Sequence, residues 1–214
     1  MKKTALLLTV VMLSAVPASA DSVVRSFRQQ IPAAGSDKIH LDFPVGEVTV
    51  EGWDGAQVDI DVKVACNNEG SSRCEEKAKD VRLVYNTSGD QIDVNFKSWP
   101  KMTGSKGLHV LAHIKVPRGL AVNVELGVGE LNVKGTEGNL TADLGVGEVN
   151  IRLSKEAIGS VDLDTGVGES SLIAAGHRYE SAGLISREIK WHKGSGRAEV
   201  NVDCGVGEID VVLD

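Results

Sequence analysis

The chain has 214 residues, of which 42% are hydrophobic, with 23 basic and 30 acidic side chains and a net charge of −7. This length allows one sizeable hydrophobic core. Because binding to nucleic-acid phosphates or to anionic lipid needs clustered lysine and arginine, the acidic balance argues against both partners.

The first 20 residues predict a secretory signal peptide. A basic start at residues 2–3, an apolar run at 5–16 and a small-x-small sequence at 18–20 fit the rules for export and cleavage. The apolar run is too short for a stable transmembrane anchor. We therefore expect a periplasmic or secreted mature chain that starts at Asp21. It would lack a transmembrane segment and carry a net charge of −9, because both lysines of residues 2–3 are removed.

Residues 21–117 predict an irregular β portion. Apolar and polar residues alternate over residues 58–64 and again over residues 108–116, which indicates two strands. Two shorter segments, residues 82–85 and 92–96, flank a Thr-Ser-Gly-Asp turn sequence. This arrangement predicts a β-hairpin.

Three cysteines are present, and export would place them in an oxidising compartment. Cys66 and Cys74 are close in the sequence, so we expect a disulfide between them. Cys204 would then remain as a buried thiol. Residues 72–75 match the capping-box pattern Ser-x-x-Glu, so a short helix is expected over residues 74–81.

A four-residue motif, Gly-Val-Gly-Glu, recurs through residues 118–214. Such self-similarity is the signature of repeat architectures. Successive copies begin 18, 21 and 39 residues apart, so one degenerate copy is expected between residues 170 and 200. The four copies and a near copy that starts with proline lie at residues 127–130, 145–148, 166–169, 205–208 and 44–47.

Alternating apolar and polar residues flank the copies, which predicts strands before and after each motif. The parity of the apolar positions changes at the motif. In the copy at residues 127–130, apolar residues occupy even-numbered positions before and within the motif, as at Leu126 and Val128, and odd-numbered positions after it, as at Leu131 and Val133. A bend there would return both strands to one interior, and glycine allows the positive φ that a sharp corner needs. The predicted corner glycines are Gly46, Gly127, Gly129, Gly145, Gly147, Gly166, Gly168, Gly205 and Gly207.

These patterns predict one all-β domain over residues 21–214. Its architecture is expected to be a β-solenoid or β-roll-like stack of strand, glycine corner and strand, with a more irregular N-terminal portion that carries one short helix. A β-sandwich is the alternative. One such unit cannot bury its apolar face alone, whereas stacked units can.

The repeats resemble the bacterial putative-adhesin family, a group of exported β-strand-repeat proteins first catalogued as a domain of unknown function. The resemblance covers residues 36–214. It rests on the Phe-Pro-Val-Gly-Glu-Val-Thr-Val-Glu-Gly-Trp-Asp segment at 43–54, the Glu/Lys/Ala helix at 75–80 with the hairpin after it, the Ile-Lys-Val-Pro-Arg segment at 114–118, and the Gly-x-Gly-acid corners. The family corner is often Gly-Ser-Gly-Asp rather than Gly-Val-Gly-Glu. The resemblance implies an exported module and supplies no catalytic residues.

Each motif carries an acid at its end and another two residues before its start. Like charges repel when neighbouring strands lie about 4.8 Å apart. Calcium coordination, hydrogen bonds from exposed corner N–H groups and solvation would each offset that repulsion. The candidate calcium ladder consists of Asp42, Glu47, Glu125, Glu130, Asp143, Glu148, Asp164, Glu169, Asp203 and Glu208.

The remaining functional signals are sparse. Trp99 and Trp191 are candidates for stacking on a sugar. The usual hydrolase, zinc and redox strings, such as His-Glu-x-x-His, Gly-x-Ser-x-Gly and Cys-x-x-Cys, are missing from the sequence. We therefore expect no enzyme and, apart from the calcium hypothesis, no cofactor.

The favoured function is an adhesin-like binding or scaffold module that contacts an envelope protein or a glycan. One alternative is a regulatory component of the envelope-stress response that acts through a protein partner. A polysaccharide-active β-solenoid enzyme is the other alternative, although its catalytic acids should stand out from the repeat, whereas these acids follow it.

Overall fold

The computed structural model describes residues 21–67, 72–101, 106–181 and 187–214, so the predicted signal peptide lies outside the described residues. Within these ranges, no helix has the length and apolarity needed to cross a bilayer. The first elements are β1 (Ser22–Pro32), β2 (Lys38–Trp53), β3 (Gln57–Cys66), α1 (Ser72–Ala78), β4 (Arg82–Ser88), β5 (Gln91–Lys97) and β6 (Leu108–Pro117). They are followed by β7 (Ala121–Lys134), β8 (Leu140–Leu153), β9 (Ile158–Ala174), β10 (His177–Glu180), β11 (Arg187–Trp191) and β12 (Ala198–Leu213).

Five long strands carry the repeated motif and form a parallel stack. β2, β7, β8, β12 and β9 are neighbours in that order, and their motifs lie in register. Gly129 of β7, for example, lies opposite Gly147 of β8. The prediction of stacked strand–glycine corner–strand units is confirmed.

Each of these strands bends at its motif, which divides it into a first limb before the motif and a second limb after it. Leu126 before the corner and Leu131 after it are 2% and 0% exposed, whereas Val128 at the corner is 46% exposed. The parity change seen in the sequence is therefore a bend that turns both limbs towards one interior. The second glycine of each motif makes the bend with a positive φ, which is +141° at Gly147.

Other strands extend the stack at both ends, and at each end they separate along the two limbs. On β2, the first limb pairs with β5 and the second with β6, which leads to β3 and β1. On β9, the first limb pairs with β11 and the second with β10. The buried side chains of both limbs belong to one hydrophobic cluster, so the core lies between the limbs.

The corner of the predicted degenerate copy between residues 170 and 200 stays a prediction, because residues 182–186, between β10 and β11, lie outside the described residues. β10 and β11 run antiparallel to β9, β10 along its second limb and β11 along its first. Ala175 and Gly176 have φ values of +51° and +76°, which make a two-residue hairpin turn that reverses the chain. The long interval between motifs is used for this reversal, after which β12 inserts between β8 and β9.

The N-terminal predictions hold with small changes of boundary. The hairpin is β4 and β5, and the helix spans Ser72–Ala78 rather than residues 74–81. The Cys66–Cys74 disulfide joins the end of β3 to this helix. Cys204 is a buried free thiol, and burial raises its pKa.

Candidate functional site

Equivalent residues of the five corners form rows that cross β2, β7, β8, β12 and β9. Three rows have exposed or half-buried side chains on the outside of the stack. The acid row contains Asp42, Glu125, Asp143, Asp203 and Asp164. The valine row contains Val45, Val128, Val146, Val206 and Val167. The glutamate row contains Glu47, Glu130, Glu148, Glu208 and Glu169. We call the three rows together the corner surface.

Close approach of the backbones explains why glycines surround the valine row. A Cβ atom on Gly147 would lie 1.8 Å from the carbonyl oxygen of Gly129, and one on Gly129 would lie 1.8 Å from that of Gly46. Only glycine fits such a contact. The valine between the two glycines of a motif is consequently the residue whose side chain projects at the corner.

The valine row is an exposed apolar strip. Val128, Val146, Val206 and Val167 are 46–51% exposed, and Val45 is half-buried. Apolar side chains that line up on a surface indicate an interaction site more strongly than scattered ones do. Sequence reasoning did not single out these valines as functional residues. Val128, for example, shares the parity of the buried Leu126, so the alternation alone would place it inside, and only the position of the bend shows that it is exposed.

A shallow groove lies beside the valine row on its acid-row side. It has a volume of about 520 Å³ and crosses β2, β7, β8 and β12. Its bottom has little side-chain bulk, because the first residue of each motif there is glycine or proline. Among the residues that line it are Pro44, Gly127, Gly145, Gly205, Asp42, Glu125, Asp143 and Asp203.

The acid row concentrates negative charge along this groove. Partial burial raises the pKa of the Asp143 carboxyl, and the charge of Glu125 raises it further. Partial burial also raises the pKa of Asp203, with added effects from Asp143 and Asp164 on the two flanking strands. At one end of the row, Nε2 of His40 lies 3.8 Å from Oε1 of Glu125. The carboxylates are therefore partly dehydrated and repel one another.

The glutamate row crosses the same five strands on the other side of the valine row. Oε1 of Glu130 accepts a hydrogen bond of 2.8 Å from Nδ2 of Asn132. Within the part of the chain that the structure describes, no group of three or more carboxylate, histidine or cysteine side chains is arranged to hold a metal ion. The calcium ladder stays a prediction.

The copy on β9 contains a buried polar pair that the sequence prediction missed. Thr165 and Ser170 are 0% and 2% exposed and hydrogen-bond to each other through their hydroxyls, whereas β7 has Leu126 and Leu131 at these positions. The backbone N–H of Ser170 also donates to Oγ of Ser181 at 3.0 Å. The signal was present, since serine replaces an apolar residue at one repeat position.

Neither candidate tryptophan belongs to the three rows of the corner surface. Trp191 belongs to β11 and is only 5% exposed, so no ring face is free to stack on a sugar and that prediction is wrong. Trp99 is half-buried and packs against Phe96, with ring centroids 5.4 Å apart. Its role in ligand binding stays a prediction.

The family match covers most of the chain. Residues 19–173 match the family described as the N-terminal domain of toast_rack (DUF2154), and the chain belongs to this family. The motif copy on β12 lies beyond the matched residues. No curated protein matches the chain.

Among the solved structures that resemble the chain are two with adhesion-related names. A putative cell adhesion protein from Clostridium sporogenes is 17% identical and has a TM-score of 0.53, with 89% of this chain and 99% of that one covered. A putative adhesin from Parabacteroides merdae is 14% identical and has a TM-score of 0.33, with 90% and 84% covered. At this identity, the first likeness indicates a shared fold.

Proposed function

We propose that this member of the toast_rack family is an exported, non-catalytic binding or scaffold module of the bacterial cell envelope, and that it contacts its partner through the corner surface. The observation that carries the proposal is the valine row, in which four side chains are 46–51% exposed. Such a strip with polar borders is typical of an interaction surface. The Clostridium sporogenes relative is named a putative cell adhesion protein, which agrees with a binding role.

A binding role fits the distribution of the carboxylates better than catalysis does. General acid–base chemistry needs a few groups whose environments differ from those around them. Here, equivalent acids recur on five neighbouring strands, so no pair stands apart from the repeat. The repeat distributes charge evenly along a surface, which suits an extended contact.

Export is supported by two separate features. Residues 1–20 have the pattern of a signal peptide, and Cys66 and Cys74 form a disulfide, which is typical of proteins outside the cytosol. Expression in a Gram-negative host should therefore yield periplasmic protein. N-terminal sequencing should start at Asp21, and an intact Met1 on cytosolic protein would contradict export.

Binding is tested with the purified chain and envelope fractions from the bacterium that encodes it. We expect saturable binding that weakens about tenfold in the double variant V128S/V146S, because each change removes an apolar contact worth roughly 0.5–1 kcal/mol. The matched control is V23S/Y85S, which alters two side chains that are each 49% exposed but lie on other strands. The proposal fails if both variants bind like the parent chain. It also fails if the chain hydrolyses envelope polysaccharide and one carboxylate change abolishes that turnover.

A further inference from the structure

The shape and charge of the corner surface narrow the class of partner that it fits, provided that the proposed binding function holds. The groove beside the valine row crosses four strands and has glycine or proline at the first motif position of each. An elongated ligand lying along the groove would contact the valine row, which directly follows these residues in the sequence. On the other side it would meet the acid row.

Charge complementarity requires a cationic ligand. All five side chains of the acid row are carboxylates, and burial together with like charge disfavours their ionised state at Asp143 and Asp203. Lysine or arginine side chains placed along the row would relieve this repulsion. The same charges oppose docking on anionic lipid or nucleic acid.

The chemistry of the rows favours a polypeptide over a sugar. The acid, valine and glutamate rows contain no aromatic side chain, whereas aromatic rings supply the flat apolar contacts that sugar stacking needs. A partner with both apolar and basic side chains would satisfy the valine row and the acid row together.

The spacing of the rows favours a helix over an extended segment. Successive valines lie on neighbouring strands about 4.8 Å apart, and successive turns of a helix rise about 5.4 Å. Along the row, the apolar residues on four successive helix turns therefore stay within roughly 2 Å of the positions of four valines. Alternate residues of an extended strand advance by about 6.7 Å, so they fall out of step by about 2 Å at every valine.

We propose that the groove and the valine row form a docking surface for a basic amphipathic helix of a partner protein. The helix lies across the strands, with its apolar stripe on the valine row and its lysine or arginine side chains along the acid row. The corner surface thus recognises the partner helix by one apolar residue per turn and by the positive charges beside its apolar stripe.

The test uses fluorescence anisotropy with synthetic peptides of about 18 residues. The probe is a helical lysine–leucine peptide with one apolar stripe. One comparison peptide has the same composition in scrambled order, and another has glutamate in place of lysine. We expect saturable binding of the probe to the full chain, at least about tenfold weaker binding of the scrambled peptide and no binding of the acidic one.

Charge-matched variants locate the contact. D143N/D203N and E76Q/D80N each remove two negative charges, the first pair from the acid row and the second from the exposed surface of α1 and the turn after it. We expect the acid-row variant to bind the probe about tenfold more weakly and the control to change less than about twofold. Equal losses in the two variants would mean unspecific attraction to an acidic chain and would overturn the inference.

The outcomes separate this inference from the proposed function. If envelope fractions bind through the valine row but the probe does not bind, the helix-docking inference is overturned and the binding function stands. If probe binding is insensitive to V128S/V146S and to D143N/D203N, the inference is again overturned. If neither the probe nor any envelope fraction binds, both proposals fail.

Discussion

At the scale of single residues, the second glycine of each motif is the most constrained position. Gly147 has a φ of +141°, and an added Cβ would lie 1.8 Å from the carbonyl oxygen of Gly129. Gly147→Ala therefore combines backbone strain with a clash against a neighbouring strand that cannot move alone. We expect a loss of about 3 kcal/mol or more in the free energy of unfolding and a fall in Tm of about 6–12 °C, measured by thermal and denaturant unfolding.

Gly119→Ala is the matched control for this change. Gly119 lies in an exposed turn, its φ is outside the positive region, and nothing lies within 4 Å of an added Cβ. Its replacement should alter the free energy of unfolding by less than about 1 kcal/mol. Equal effects at Gly119 and Gly147 would contradict the close-contact explanation of the corners.

Partial burial of the acid row, together with charge repulsion within it, predicts a pH-dependent stability of the fold. Because the folded state raises the pKa of Asp143, the fold binds this proton more tightly than the unfolded chain does. Its ionisation therefore lowers stability as pH rises through the interval between the unfolded and folded pKa values. Asp143→Asn should stabilise the protein at pH 7 by less than about 1 kcal/mol, since the group is only partly buried, and this gain should vanish near pH 3. Urea unfolding at both pH values measures it, and a gain that is equal at both would contradict the explanation.

At the scale of elements, β9 differs from the other repeated strands through its buried hydroxyl pair. Thr165→Val alone leaves the Ser170 hydroxyl without the partner seen in the fold and should cost about 1–3 kcal/mol. The double variant T165V/S170A removes both polar groups and should recover to within about 1 kcal/mol of the parent chain. A double-mutant cycle by chemical denaturation measures the coupling. Purely additive losses would show that the two hydroxyls do not stabilise each other.

The predictability of the elements depends on how locally each one is encoded. The parity change between Leu126 and Leu131 is visible within a few residues, so the corner could be predicted. The turn into β10 could not, because Ala175 adopts a φ of +51° without a sequence signal that marks it. For the candidate site, the acid row follows from repeat spacing alone. The groove and the exposure of Val128 require the actual register and bend.

At the scale of the whole molecule, the order of the stack is the feature that the repeat pattern did not reveal. Identical motifs carry no information about which copies become neighbours. β12 comes last in the chain, yet it lies between β8 and β9 and pairs with both. The copies therefore do not stack in chain order, and the last strand is internal to the sheet rather than a removable end.

This internal position predicts an unusual response to truncation. In a solenoid stacked in chain order, removal of the last repeat eliminates one interface and leaves the others intact. Here, deletion of residues 198–214 exposes the edges of both β8 and β9 and separates β9, β10 and β11 from the rest of the stack. We expect the truncated chain to lose its cooperative thermal transition by circular dichroism and to become sensitive to protease.

Deletion of residues 22–32 is the control, because β1 is an edge strand that pairs only with β3 among the described strands. That chain should retain a cooperative transition at a lower Tm, and a cooperative transition in the 198–214 deletion would contradict the central placement of β12.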